Sequence, residues 1–262
     1  MFECARHGDY RIAIYSTPHD PTALSKLFEQ ELRLPSGSAI VWNHHIPGIL
    51  NEEFSEDKAK KLAASLRLAG VRASAVRRDE IPNLHLAVIV HHLKCTEEGI
   101  QLFEPSGHPS ALIPWAAVQM VCVGEVFPNI SRRHPPSLAT GPATGHHYQR
   151  PAVDVPFTPI IEAWITCGPP YPHLRFEQDR MHFDGLDSQR REQVPTAFRN
   201  LIQDVIARTP TAFVSDSTRA FLQHSQQNKY HFKHPEALLQ YATLQALLAR
   251  EPAIEGSSEA AT

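Results

Sequence analysis

Tyr10, Ile12 and Ile14 alternate with Arg11 and Ala13, and the run Tyr10–Ser16 has the period of a strand. Asp20-Pro21 then opens a helix: an aspartate cap, followed by proline at a position where its missing N–H costs nothing. Leu24, Leu27, Phe28 and Leu32 form the apolar stripe of that helix. A weaker helical stretch covers Ser36 to Asn43 and stops at Pro47-Gly48. Ile46 to Leu50 can form a short middle strand. Ser55 is placed to cap a third helix, with Glu56 and Asp57 in the first turn, where negative charge suits the helix dipole. Ala59, Leu62, Ala63, Leu66 and Ala69 share one face, Gly70 is the stop, and Val71 to Val76 alternates as a strand. The order is β-α-α-β-α-β, ending near Pro82-Asn83.

Beyond Asn83 strands dominate. Leu84 to Val90 is an apolar β run, and Glu98-Gly99 turns into Ile100-Gln101-Leu102-Phe103. Ala111 to Val126 is rich in Val and Ile, with a bend at Pro114-Trp115. From Ser131 the composition shifts to Pro, Gly, Ser, Thr and His, which predicts a long surface loop over 131–156. Ile160 to Cys167, Leu174 to Phe176 and Arg180 to Phe183 read as strands. Phe198, Leu201, Ile202, Val205 and Ile206 then give a helical face behind Pro195. The segment Phe213–Phe221 fits either type of element. A last helix runs from His234-Pro235 to Arg250, with Leu238, Tyr241 and Leu248 among its apolar positions, and 251–262 is expected to be a disordered tail. The predicted class is α+β: a small split β-α-β domain over 8–82, a mostly antiparallel β domain closed by a helix over 84–233, and a C-terminal helix over 234–250.

Composition narrows the function classes. The 262 residues carry a net charge of −3, and residues 1–82 hold eleven basic and eleven acidic side chains, so no broad positive field points to nucleic acid. No apolar run reaches the ~20 residues that span a bilayer, and the N-terminus lacks a signal-peptide pattern, so a cytoplasmic location is expected. Cys4, Cys95, Cys122 and Cys167 lie far apart, without a Cys-x-x-Cys pair.

The segment from Tyr10 to Val76 resembles the C-terminal domain of the bacterial ribosomal stalk protein. The likeness rests on Ile46-Pro47 with Leu50, a short acidic spacer, Ser55-Glu56-Asp57-Lys58-Ala59, and on through Leu66 to Ala69-Gly70-Val71. The resemblance implies helices on one face of a small sheet and a leaning toward protein partners. The stretch Leu34–Ile40 stands where stalk domains carry the two lysines that meet translation factors, and it has neither, so ribosomal function is not carried over. The ClpS adaptor shares a related fold, but its acidic run after the first strand is Ser16-Thr17-Pro18 here. The second region is similar in pattern to PH-like domains, through Glu98-Gly99-Ile100, Ile113-Pro114-Trp115 and the helix Pro195–Arg208.

No reaction is spelled out. Neighbouring histidines in His91-His92 point to opposite strand faces, and those in His44-His45 do not share a helical face. His146-His147 falls in the loop, and His-Glu-x-x-His is absent, so no metal is expected. Gly-x-Ser-x-Gly and phosphate-loop glycine patterns are also absent, so neither a nucleophile elbow nor a nucleotide cofactor is indicated. Asp179, Asp184 and Asp187 fit turns.

Arg132, Arg133 and Arg150 make Ser131–Val153 locally basic and suit an anionic ligand or lipid head group. Trp42, Ile46 and Ile49 offer apolar contact for a protein partner. The leading expectation is a binding or adaptor protein of the cytoplasm. The alternatives are a metal- or histidine-dependent hydrolase in the second region and a PH-like module holding an anion.

Overall fold

The protein is seen in a computed structural model that describes residues 8–17, 20–34, 46–127, 159–183, 193–223 and 230–251. Strand β1 (Tyr10–Ile14) is the centre of a small antiparallel sheet, flanked by β2 (Gly48–Ile49) and β3 (Ala73–Arg77) in the order β2-β1-β3. Its alternation decides what each face meets. Ile12 and Ile14 point toward helices α1 (Pro21–Leu32) and α2 (Glu56–Leu68), joining Leu24, Phe28, Leu62 and Leu66 in one core. Asp20 caps α1 through a 2.8 Å bond from the Thr22 N–H. Ser55 occupies the cap position of α2 with its carbonyl, which accepts from the Ala59 N–H at 2.9 Å; its hydroxyl makes no cap bond. Gly70, at φ 77°, ends that helix where a side chain would be strained.

The second part is built on β8 (Val118–Val126) and β9 (Ile160–Cys167), paired antiparallel from Val118 opposite Cys167 to Val126 opposite Ile160. Both strands are largely covered on both faces, which is why they read as mostly apolar runs. Strand β4 (Val88–Ile89) lies parallel to β10 (Leu174–Glu177), and β11 (Phe213–Val214) parallel to β8. The order across the sheet is β11-β8-β9-β10-β4, with β12 (His231–Phe232) also beside β8. A separate antiparallel sheet joins β5 (Leu93–Cys95), β6 (Gly99–Phe103) and β7 (Pro109–Pro114). Helix α3 (Val194–Arg208) sends Phe198, Ile202 and Val205 into the core that these two sheets share. Helix α4 (Asp216–Leu222) is tied to β8 by buried hydroxyls, Thr218 Oγ1 accepting from the Val123 N–H at 2.8 Å.

The last helix, α5 (Pro235–Leu248), is apolar over most of its circumference, with Glu236 and Gln240 exposed, and its surroundings explain why. Leu238, Leu239, Ala242 and Ala246 rest on Met120, Cys122, Val126 and Trp164 of the larger sheet. Leu244 and Leu247 rest on Ala13 and Val76, the face of the small sheet turned away from α1 and α2. A single helix therefore fills the seam between the two sheets. Its far end is fastened to the first part, Arg250 Nη1 donating to the Glu80 carbonyl at 2.7 Å and Glu251 pairing with Arg72 at 3.2 Å. Close approach at its near end relies on Gly124, where an added Cβ would stand 2.5 Å from Leu238 Cδ1.

The class is α+β. Two local expectations change. Arg180–Phe183 is not a strand: a 3-10 turn covers Gln178–Arg180, Met181 drops into the α3 core and His182 makes one bridge to His92. Both edges of β10 are already taken, by β9 and β4, so the returning chain finds no ladder to join. Leu84–Val90 yields only the two residues of β4, because Leu84–Leu86 winds into a 3-10 turn first. The helix expected at Ser36–Asn43 and the 131–156 loop lie outside the described residues; of the tail expected at 251–262, Glu251 is described and pairs with Arg72, and 252–262 lies outside them. No helix among the described residues is long and apolar enough to cross a membrane.

Candidate functional site

Two adjoining clefts open along α5, where the seam reaches the surface. The larger, about 560 Å³, is bounded by Arg11 of β1, the β2 turn, the 78–85 linker and the Gln240 and Thr243 side of α5. The smaller, about 160 Å³, reaches over β4, β9 and β10 to Glu162, Trp164 and Arg175. Leu84, His85, Glu236 and Leu239 border both, so they form one trough with a shared middle. A volume of several hundred cubic ångströms between packed layers is where ligands commonly sit.

Two guanidinium groups that line the larger cleft, those of Arg11 and Arg78, converge on one carboxylate beside it. Arg78 Nη1 is 3.0 Å and Arg11 Nη2 3.5 Å from Glu53 Oε1. Arg11 Nε is buried with no hydrogen-bond partner among the described residues. Glu52 and Glu236 supply negative charge at the rim, and Asn51, Gln240 and Thr243 supply neutral polar groups.

The smaller cleft is more unusual chemically. Strand alternation places Glu162 and Trp164 on the α5 face of β9, and Arg175 and Glu177 on the same face of β10. Glu162 is only 1 % exposed, and its Oε2 accepts from Arg175 Nη2 at 2.9 Å. The Arg175 guanidinium stacks over the Trp164 ring at 5.2 Å. Three buried atoms of this group have no aligned hydrogen-bond partner among the described residues: Glu162 Oε1, Trp164 Nε1 and Arg175 Nε. Such atoms are costly to leave unmet, and they are the features of a core that call for a ligand or a bound water. Burial raises the Glu162 carboxyl above its ordinary range, while Arg175 and the nearby Trp164 indole pull it down.

No family model, curated protein or solved structure matches the chain significantly.

Of the residues the sequence singled out, Ile46 and Ile49 are described and do not form one patch. Ile46 leans on the core beneath α1 and α2, whereas Ile49 leans on the opposite, α5-facing core and borders the larger cleft. Trp42, Arg132, Arg133 and Arg150 lie outside the described residues, as do Asp184, Asp187 and the pairs His44-His45 and His146-His147. Asp179 sits in a 3-10 turn. Among the described residues no group of three or more His, Cys, Asp or Glu side chains is placed to hold a metal ion. Cys122 and Cys167 are buried, and burial pushes their thiols up to about 11 and about 12. Sequence reasoning missed Glu162 and Arg175. The signal was present: one acid in the apolar run Ile160–Cys167, and one base between Leu174 and Phe176.

Proposed function

We propose that this is a binding or adaptor protein that accepts a segment of a partner protein in the trough along α5. The observation that carries the reading is the trough itself: two clefts with a common middle, lined by charged and amide side chains and containing buried polar atoms without an aligned hydrogen-bond partner among the described residues. A long, open, mixed-polarity groove suits an extended chain segment better than a compact metabolite, because backbone amides of a bound segment can meet such groups along its whole length. The stalk-like pattern of residues 10–76 adds a leaning in the same direction.

The test uses the full chain with a photo-reactive benzoylphenylalanine at position 240, an exposed site bordering the larger cleft. The same group at position 68 is the control, since Leu68 is 91 % exposed and faces solvent away from the trough. Irradiation in cells is expected to give discrete protein adducts from position 240 that position 68 does not give. Equal adduct patterns at the two positions would overturn the proposal.

A further inference from the structure

Strand β4 ends the order of the larger sheet, with no strand beyond it among the described residues. Its Val88 and Val90 N–H groups donate to the His173 and Arg175 carbonyls, both at 2.8 Å, so by strand parity the N–H and C=O of Ile89 point away from the sheet. The open stretch is short. On one side the Leu84 carbonyl takes the Ala87 N–H at 3.1 Å, and on the other the His91 carbonyl takes the His182 N–H at 2.6 Å. Four large apolar side chains are exposed among the described residues, and three of them lie here: Leu86 at 77 %, Val88 at 42 % and Ile89 at 51 %. Edges facing water are normally guarded by charge or proline. From Leu84 to Leu93 the sequence has no acid, lysine, arginine or proline.

What pairs with so short an edge must already be ordered. A flexible segment would gain the two hydrogen bonds of Ile89 and lose the freedom of every residue it lays down, whereas a strand edge that is already folded gives up far less. The edge is also complementary to itself. With Ile89 of one copy opposite Ile89 of another in an antiparallel pair, each outward N–H donates to the other copy's outward carbonyl. In that register Val88 of each copy faces Val90 of the other. Carried outward, it sets His91 against Ala87 and His92 against Leu86, never a histidine against a histidine. No like charges are brought together along the joint.

We infer that β4 is the contact through which two copies of this chain form a two-fold dimer, joined by an antiparallel Ile89–Ile89 pair that makes their larger sheets continuous. A contact of this kind uses the same patch on both copies, so the edge is consumed and assembly stops at two. Residues paired across an antiparallel joint share a face, and Ile89 borders the smaller cleft. Each copy therefore adds its own Ile89 to the rim of the other's cleft.

The test measures the mass of the purified full chain by light scattering after gel filtration, over a range of loading concentrations. Wild type is expected to reach twice the mass of one chain. Ile89→Lys, which guards the edge with a charge, is expected to halve that mass and leave the circular dichroism spectrum unchanged. A directly opposed, hydrogen-bonded pair sets its Cα atoms about 5.5 Å apart, within the span of a disulfide. In a Cys4→Ser background, Ile89→Cys is therefore expected to give a disulfide-linked dimer on mild oxidation. Leu68→Cys, at a site 91 % exposed, is the control expected to give none. A wild-type monomer at every concentration would overturn the inference. So would a dimer that survives Ile89→Lys, or one in which Ile89→Cys cross-links no faster than Leu68→Cys, since another surface would then hold the copies together. Should Ile89→Lys misfold, the cross-linking comparison decides alone.

Discussion

Glu162 and Glu177 stand directly opposite one another on β9 and β10, and a single nitrogen, Nη2 of Arg175, lies 2.9 Å from the first and 3.2 Å from the second. Like charges in such a cross-strand position repel. The pair persists because the guanidinium of Arg175 lies between the two carboxylates and is held over Trp164. Arg180 lends Glu177 a second cation at 2.9 Å, and among the described residues Glu162 pairs with Arg175 alone. The more buried of the two acids is thus the less well compensated.

That imbalance has a pH signature. Burial keeps the Glu162 carboxyl above its ordinary value of 4.5, so between that value and the raised one the folded chain holds a proton that the unfolded chain has released. Its contribution to stability is therefore greatest in acid and declines as pH rises through this window. Glu162→Gln does not titrate. Urea unfolding of both proteins from pH 4 to pH 8 is expected to show wild type losing stability relative to the variant as pH rises, whatever the constant offset between them. A difference flat in pH would mean that the carboxyl is not desolvated.

The opposite sign is expected at His173. Burial, helped by the charge of Arg250, holds this imidazole below its ordinary value of 6.5. Its Nδ1 accepts the Cys167 N–H at 3.1 Å, a bond that needs that nitrogen free of a proton. Stability from this group is complete above pH 6.5 and is lost as pH falls through the lowered value. His173→Asn offers an acceptor without the titration, and its unfolding midpoint is expected to be flatter than that of wild type between pH 6.5 and pH 5.

Truncating α5 tests whether one helix serves both sheets. Leu244→Ala and Leu238→Ala remove side chains that are 3 % and 0 % exposed, one on each side of the seam. Each is expected to cost about 2–5 kcal/mol, by lost burial plus the cavity left behind. Calorimetry is expected to show a single transition in both variants. Two separated transitions in either would show that the sheets fold independently of their common helix.

Thiol chemistry offers a fourth check. Cys95 and Cys167 are pushed up to about 12 and Cys122 up to about 11, all chiefly by burial. At pH 8 the thiolate fraction of each is on the order of one part in a thousand or less. In a Cys4→Ser background, Ellman's reagent is expected to leave the native protein unlabelled for hours and to find three thiols at once in guanidinium chloride. Rapid native labelling would refute the packing around Cys95.

Legibility followed local physics. Helix α2 was readable because Ser55, Glu56, the Ala59–Leu66 stripe and Gly70 all agree, and the β7–β8 bend because Pro114-Trp115 interrupts a Val-rich run. The seam was not readable. Period analysis of α5 finds a stripe and assigns the rest to water, yet Leu244 and Leu247 face a sheet more than 150 residues earlier in the chain, such as Ala13 and Val76. The trough was hidden for the same reason: its walls come from β1, β9, β10, the linker and α5, and no local pattern links Arg11, Glu162 and Glu236. The β4 edge was misread as a full strand because an apolar run does not reveal that half of it turns before it pairs.

The helix that borders both clefts is also the wedge between the two sheets. Occupancy of the trough and the resting angle between the sheets are therefore linked, and linkage runs both ways. On the proposed reading, a partner that displaced Glu236 or Gln240 would press on Ala13 and Val76 through Leu244 and Leu247. A load placed on the first sheet would, by the same rods and bearings, retune how tightly the trough grips.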